Sequence, residues 1–297
     1  MIKENFPEYV YLNGEFILKE NAKISIFDHG FLYGDAVFET MRSYDGKLFK
    51  LSEHIDRLLK SSHGIFMQHK FTKYEIAQAV IKTMEKNNAR DSYIRICISR
   101  GEGQISLDID TCHNPILIVV VKPIIDIPIQ GVKIVLVKTR RNLFSAINPA
   151  FKTANMLNNI LAKLEAKRLG AFEGIMLNYD GHLTEGSISN IFFLKGLKLI
   201  TPSVSTGILE GITRSVVIEL SPLANLTVFE EFIKPVEMDE IDECFLTNSV
   251  RGIMPVHQLD NTKINNGNTG QYTQKLIKLY NEYIKKTILL EEFDEIR

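Results

Sequence analysis

Residues 151–193 read FKTANMLNNILAKLEAKRLGAFEGIMLNYDGHLTEGSISNIFF. Lys152 stands at the entrance to a helical pattern over Asn155 to Leu169. On that helix Leu157, Leu161, Leu164 and Leu169 are expected to be buried, with Lys163, Lys167 and Arg168 available to solvent. Gly170 ends it. Phe172 to Leu177 and the stretch around Ile191 to Leu194 read as strands joined through a turn at Asp180-Gly181. Between turn and second strand lies Leu183-Thr-Glu-Gly-Ser-Ile-Ser-Asn190. A lysine and a carboxylate, Lys152 and Glu185, are thus delivered on successive elements.

Upstream, Tyr9 to Ile17 reads as a hairpin around Asn13-Gly14, residues that tolerate the positive φ of a type I′ turn. Ile24 to Arg42 follows, with a second turn at Asp45-Gly46. Ser52 is the expected N-cap of a helix carrying Ile55, Leu58 and Leu59, with Arg57 between them. Thr72-Lys-Tyr-Glu75 has the form of a capping box and opens another helix. Ser92 to Ser99 and Pro115 to Lys122 read as strands. These elements make a small α+β domain over residues 1–122. Pro123 and Pro128 favour an extended connector over residues 123–130, leaving residues 131–297 as a larger domain. Its further elements are a strand at Gly131 to Thr139, a helix at Gly211 to Leu220, a strand at Glu243 to Thr247 and a closing helix at Gln271 to Lys285.

A chain of 297 residues is long enough for two cores. A net charge of −1 gives no global field for nucleic acid or an anionic membrane surface. The three cysteines, Cys97, Cys112 and Cys244, are odd in number and widely spaced, which argues against a disulfide framework or zinc site. The histidines show no metal-ligand spacing. The longest apolar run, Ile116 to Val121, falls far short of the ~20 residues that span a bilayer, and the N-terminal stretch lacks a signal-peptide pattern. The expectation is a cytoplasmic protein with no membrane partner.

Lysine and carboxylate together are what a pyridoxal 5'-phosphate enzyme requires. The amine holds the cofactor aldehyde covalently, and the carboxylate keeps the pyridine nitrogen protonated so that the ring can act as an electron sink. A lysine at a helix start is more often a surface charge, and a turn carboxylate has an equally ordinary reading. The flanking residues reverse this. Lys152-Thr-x-Asn-x-Leu-Asn-Asn-Ile-Leu-Ala-Lys163, Thr184-Glu-Gly-x-x-Ser-Asn190 and Gly207-Ile-Leu-x-Gly-Ile-Thr-Arg214 resemble the signature of the class IV, or fold type IV, pyridoxal phosphate enzymes. That family includes branched-chain aminotransferases, D-amino acid aminotransferases and 4-amino-4-deoxychorismate lyases.

The resemblance runs from about Tyr9 to about Tyr283. It implies a two-domain α+β fold like that of D-amino acid aminotransferase: a small N-terminal α+β domain, a larger C-terminal α/β domain, and the cofactor between them. It also implies a homodimer acting on a small amino acid and a 2-oxo acid. Lys152 would hold the cofactor, Glu185 its pyridine nitrogen, and Arg57, Ile212, Thr213 and Ser249 its phosphate, with Asn190 supporting that side. Helix N-termini offer free N–H groups to anions, which suits Ile212 and Thr213. In the better-known branched-chain enzymes a tyrosine follows the lysine, and none stands at that spot here.

For the substrate, Tyr93-Ile-Arg95 resembles the strand with which branched-chain aminotransferases meet carboxylates, and alternation puts both side chains on one face. The family also lends Phe38 and Val250 to the pocket, and Tyr33 from a neighbouring subunit. Thr40 stands where those enzymes usually carry glycine and the lyases carry threonine; its hydroxyl could relay a proton. The Thr247-Asn-Ser-Val-Arg-Gly-Ile-Met-Pro255 turn also leans toward the lyases. A D-amino acid enzyme is disfavoured because Arg100-Gly-Glu-Gly-Gln104 lacks the expected arginine and histidine. A non-catalytic protein on the same fold is disfavoured by Lys152, Glu185 and Arg57. The leading expectation is an aminotransferase of branched-chain type using 2-oxoglutarate, with the lyase as alternative.

Overall fold

The computed structural model describes residues 8–124 and 131–290. Most of the expected connector, from residue 125 on, lies outside the described residues. The chain falls into two compact units. The first holds the described residues up to 124 with 151–155 and 287–290, and the second holds 131–150 and 156–286.

In the first unit, β1 (Tyr9–Leu12) and β2 (Glu15–Leu18) are joined by Asn13 and Gly14, whose positive φ values of 49° and 105° make the expected turn. α1 (His29–Tyr33), capped by Asp28, leads into the long β3 (Ala36–Tyr44), which returns through Asp45-Gly46 as β4 (Lys47–Leu48). α2 (Leu51–Gly64), α3 (Lys73–Lys86), β5 (Ser92–Ser99) and β6 (Ile116–Pro123) complete it. The strands form an antiparallel sheet in the order β2-β1-β6-β5-β3-β4. One sheet face packs against the two helices through Met41, Ile94, Ile96 and Ile98 with Ile55, Leu58, Ile76 and Val80. α3 carries the capping box read at Thr72 and Glu75. α2 does not begin at Ser52: its N-cap is Lys50, in the left-handed region at φ 60°. The Ser52 hydroxyl lies inside the first turn and accepts from Lys73 Nζ at 2.6 Å.

The second unit runs β7 (Val132–Leu136), α4 (Leu157–Arg168), β8 (Glu173–Ile175), β9 (Asn190–Lys195), β10 (Lys198–Pro202), α5 (Ile212–Leu220), β11 (Thr227–Glu231), β12 (Glu243–Asn248), β13 (Gly252–Leu259), β14 (Thr262–Lys263) and α6 (Gln271–Leu290) as far as Lys286. Its mixed sheet has the order β11-β10-β9-β12-β13-β7-β8, with β14 pairing to β13. β7 and β8 are parallel, which demands a crossover, and α4 lies on it.

Lys152 does not begin a helix. Residues 152–154 run extended beside β3, with Thr153 bridging Val37, and α4 starts only at Leu157. Nor does α4 bury its leucines. Its inner face is Asn159, Ala162 and Ala166, while Leu157, Leu161 and Leu164 are 67%, 47% and 45% exposed. The reason is steric. A Cβ at Gly174 of β8 would lie 2.8 Å from the Ala162 carbonyl oxygen, so the backbones approach too closely for leucine between them. The small residues, not the large ones, face the sheet, and leucines share the exposed side with Lys167 and Arg168.

Candidate active site

In the first unit β3 and β5 pair in register, Phe38 opposite Cys97, Thr40 opposite Arg95 and Arg42 opposite Tyr93. Alternation therefore puts Phe38, Thr40, Tyr93 and Arg95 on the sheet face opposite the helix-packed core. The segment 152–154 is tied to the edge of this region. Phe38 N donates to the Lys152 carbonyl at 2.9 Å and Ala154 N to that of Ala36 at 2.7 Å. Lys152 N donates to Ser61 Oγ at 3.0 Å, and Ser61 Oγ donates to the Arg57 carbonyl at 2.8 Å, linking lysine and arginine through α2. Lys152 Nζ lies 4.7 Å from the Phe38 ring centroid, and Arg95 Cζ 3.9 Å from the same centroid. The Tyr93 hydroxyl is 3.5 Å from Thr40 Oγ1. Tyr33 packs edge-on to His29 within its own chain.

Glu39 points the other way, into the layer between sheet and α2, and is fully buried. It accepts from Arg57 Nε at 2.6 Å, Arg57 Nη2 at 2.8 Å and His54 Nδ1 at 2.8 Å. Burial pushes its pKa up, but the guanidinium and the imidazole more than offset this and hold the carboxyl well below the usual carboxylate range. Burial lowers the His54 pKa; the Glu39 carboxylate opposes that, and the Arg57 and Lys152 cations add to it. Arg57 is thus no water-facing helix arginine, its side chain being 12% exposed. The bidentate grip fixes the plane of the guanidinium.

In the second unit Glu185 is buried and held at both oxygens. Oε1 accepts from Arg141 Nε at 2.9 Å and lies 2.9 Å from Arg141 Nη2 in an ion pair. Oε2 accepts from Leu209 N at 3.0 Å and Asn190 Nδ2 at 3.2 Å. Asn190 also donates to the Leu209 carbonyl at 2.9 Å, locking two loops together. α5 opens at Gly211, which offers no side-chain cap to the N–H groups of the first turn, where Ile212 and Thr213 lie. A Cβ at Gly211 would sit 2.0 Å from Asn190 Oδ1, so glycine alone permits this approach. Ser249 and Val250 form the β12–β13 turn. Asn248 Oδ1 accepts there from Val250 N at 3.1 Å and Arg251 N at 2.8 Å, so the asparagine shapes the turn. Buried Thr247 Oγ1, at the end of β12, has no hydrogen-bond partner among the described residues.

The structure therefore brings Lys152, Phe38, Thr40, Tyr93, Arg95 and Arg57 together in one unit, and Glu185, Asn190, Ile212, Thr213, Ser249 and Val250 in the other. Sequence reasoning passed over Glu39, His54 and Ser61, and Arg141 beside Glu185. A charged residue between Val37 and Met41 on the core side of an alternating strand was the available sign of Glu39. Among the described residues no cluster of His, Cys, Asp and Glu could hold a metal, and no helix is long and apolar enough to cross a membrane.

Known proteins resemble this chain along most of its length. The family model for amino-transferase class IV matches residues 36–259. A protein of Methanocaldococcus jannaschii carrying a provisional branched-chain-amino-acid aminotransferase name is 41% identical, over 90% of this chain and 93% of its own. Aminodeoxychorismate lyase of Bacillus subtilis is 34% identical, over 94% of this chain and 96% of its own. The solved branched-chain aminotransferase of Thermoproteus uzoniensis with norvaline superposes at a TM-score of 0.90 with 31% identity, covering 95% of this chain and 96% of that one. With the family model spanning three quarters of the sequence and two-unit topology to match, the chain belongs to the class IV aminotransferases.

Proposed function

We propose that the protein is a pyridoxal 5'-phosphate enzyme that moves the amino group of a branched-chain amino acid to 2-oxoglutarate. The observation that carries this reading is the shared Phe38 ring, with Lys152 Nζ and Arg95 Cζ both within 5 Å of its centroid. A reactive amine, a carboxylate-binding guanidinium and an apolar wall are thereby concentrated where an aliphatic amino acid can be held. The donor set also suits the cofactor: Lys152 for its aldehyde, Glu185 for its ring nitrogen, and Arg57, Ile212, Thr213 and Ser249 for its phosphate, with Asn190 behind Glu185. The orphaned Thr247 hydroxyl and the uncapped start of α5 are polar groups that an anion would satisfy.

Bound pyridoxal phosphate supplies the electron sink that accommodates the charge left on the substrate α-carbon. The chain supplies the rest. Lys152 would take the proton from the substrate α-carbon and deliver it two atoms away, across the nitrogen that is being transferred. Arg141, by its Nε hydrogen bond and ion pair to Glu185 Oε1, aims that carboxylate. Arg95 and Tyr93 bind the substrate carboxylates, and Phe38 and Val250 contact its side chain. Tyr33 completes the pocket of a neighbouring copy in a homodimer. The exposed leucine face of α4 supports that assembly, since contiguous apolar surface marks contact sites. Three cysteines outside any disulfide support a cytoplasmic location, and the domain division at residues 123–130 belongs to the same proposal.

One contact favours the lyase alternative, in which aminodeoxychorismate gives 4-aminobenzoate and pyruvate: Thr40 Oγ1 sits 3.5 Å from the Tyr93 hydroxyl, a pair able to relay a proton. Thr40→Val keeps the shape and removes the hydroxyl. Leucine transamination by Thr40→Val is expected to stay within about threefold of wild type, because the hydroxyl only steadies Tyr93 there. A loss of the ~10²–10⁴-fold typical of a missing acid or base in 4-aminobenzoate formation, with that activity strong in wild type, would establish the lyase instead.

A further inference from the structure

The carboxylate that the function uses sits at the mouth of a tight turn, residues 185–190, and a second carboxylate lies behind that turn. Glu173, the first residue of β8, is fully buried. It accepts from Ser187 Oγ at 2.6 Å, Ser189 Oγ at 3.0 Å, Gly174 N at 3.1 Å and Ile188 N at 3.3 Å. Three of these four donors belong to the turn. The turn also closes on itself, Gly186 N donating to the Ser189 carbonyl at 2.7 Å. α4 holds it through Asn159 Nδ2, which donates to the Ser187 carbonyl at 2.8 Å. The fit leaves no slack: a Cβ at Gly186 would meet Ser189 Oγ at 2.5 Å and Glu173 Cγ at 2.7 Å. The two ends of the turn are Glu185 and Asn190, which bond each other at 3.2 Å.

A charge completely removed from water is costly, and an apolar residue would close a β8–turn contact at lower cost. What a carboxylate adds is direction. It gathers three donors of one loop onto two oxygens and so fixes the path between Glu185 and Asn190. From this arrangement we infer that Glu173 is a positioning residue for the cofactor-nitrogen side of the site, holding Glu185 and Asn190 at the spacing they need. The inference rests on the reading that Glu185 serves the pyridine nitrogen.

The test is a double-mutant cycle of Glu173→Gln and Glu185→Gln, read as the dissociation constant of pyridoxal phosphate for the apoprotein. A Gln amide keeps the size of Glu173 but replaces one acceptor oxygen by an N–H₂ group, set against either Ser187 and Gly174 N or Ser189 and Ile188 N. Glu173→Gln alone is expected to weaken the cofactor about tenfold, and less than about twofold once Glu185 is already Gln, because acting through one residue makes effects non-additive. Equal factors in both backgrounds would make Glu173 a support of the fold only and overturn the inference, as would unchanged affinity in a folded Glu173→Gln protein. If Glu185→Gln by itself leaves affinity unchanged, the role given to Glu185 fails first, and that outcome is visible before Glu173 is considered. Should Glu173→Gln not fold, Ser187→Ala and Ser189→Ala each remove one donor with little volume change. Each is expected to weaken the cofactor at least about twofold, with the loss vanishing in the Glu185→Gln background; additivity there would overturn the inference equally.

Discussion

Arg57 has two jobs in this account, and they can be separated. It is proposed to meet the cofactor phosphate, and it neutralises Glu39, which has no exposure of its own. Removing it leaves a buried carboxylate with His54 and the Thr40 N–H but no guanidinium, and breaking a buried pair costs about 3–5 kcal/mol. Arg57→Ala should therefore lower the melting temperature of the apoprotein as well as weaken the cofactor. A loss of affinity with unchanged apoprotein stability would show that Glu39 does not depend on it. The same cluster predicts a pH dependence. His54 has a folded pKa below its ordinary 6.5, so below about that pH the unfolded chain binds more protons than the folded one, and stability falls as pH falls. Glu39, also depressed, contributes stability above its ordinary 4.5 that is lost on further acidification. Urea midpoints of the apoprotein should drop between pH 7 and 5, and His54→Gln should flatten that slope; an equally steep slope would assign it elsewhere. Lys152 and Glu185 could be proposed from sequence because their neighbours form recognisable strings. Glu39 and Arg141 were not, since their meaning depends on a partner 18 residues away in one case and 44 in the other.

At the scale of elements, hairpin turns and caps were the most readable features. Asn13-Gly14, Asp45-Gly46 and the Thr72 capping box act within a few residues, so local sequence determines them. α4 exposes Lys167 and Arg168 as expected but not its buried stripe, because which apolar residues a helix buries depends on what the facing strand can admit. Gly174 admits only alanine there. The extended path of Lys152 was hidden for a similar reason, being set by hydrogen bonds to β3 rather than by its own propensity. The outward leucines lead to a prediction. Leu161→Glu with Leu164→Glu should convert the proposed dimer to monomer in light scattering while leaving the monomer's helical signal intact, since both positions are nearly half exposed. Dimers unaffected by both charges would place the subunit contact on another surface.

At the scale of the molecule, the class IV family and its two-unit topology were readable from three short strings, whereas the choice of substrate was not. Tyr93 and Arg95 speak for an amino acid with a carboxylate to bind, and Thr40 with Asn248 for the lyase. Asn248 is a turn former whose carboxamide is committed to two backbone amides, so it weighs less than its sequence position implied. The most direct measurement is a single half-reaction without 2-oxoglutarate. Holoenzyme is mixed with L-leucine, and the visible absorbance of the bound cofactor is followed together with the 2-oxo acid formed. The account predicts loss of that absorbance and one equivalent of 4-methyl-2-oxopentanoate per subunit in wild type, and neither in Lys152→Ala. Absorbance unmoved by leucine, with aminodeoxychorismate turned over to 4-aminobenzoate by the same preparation, would contradict it.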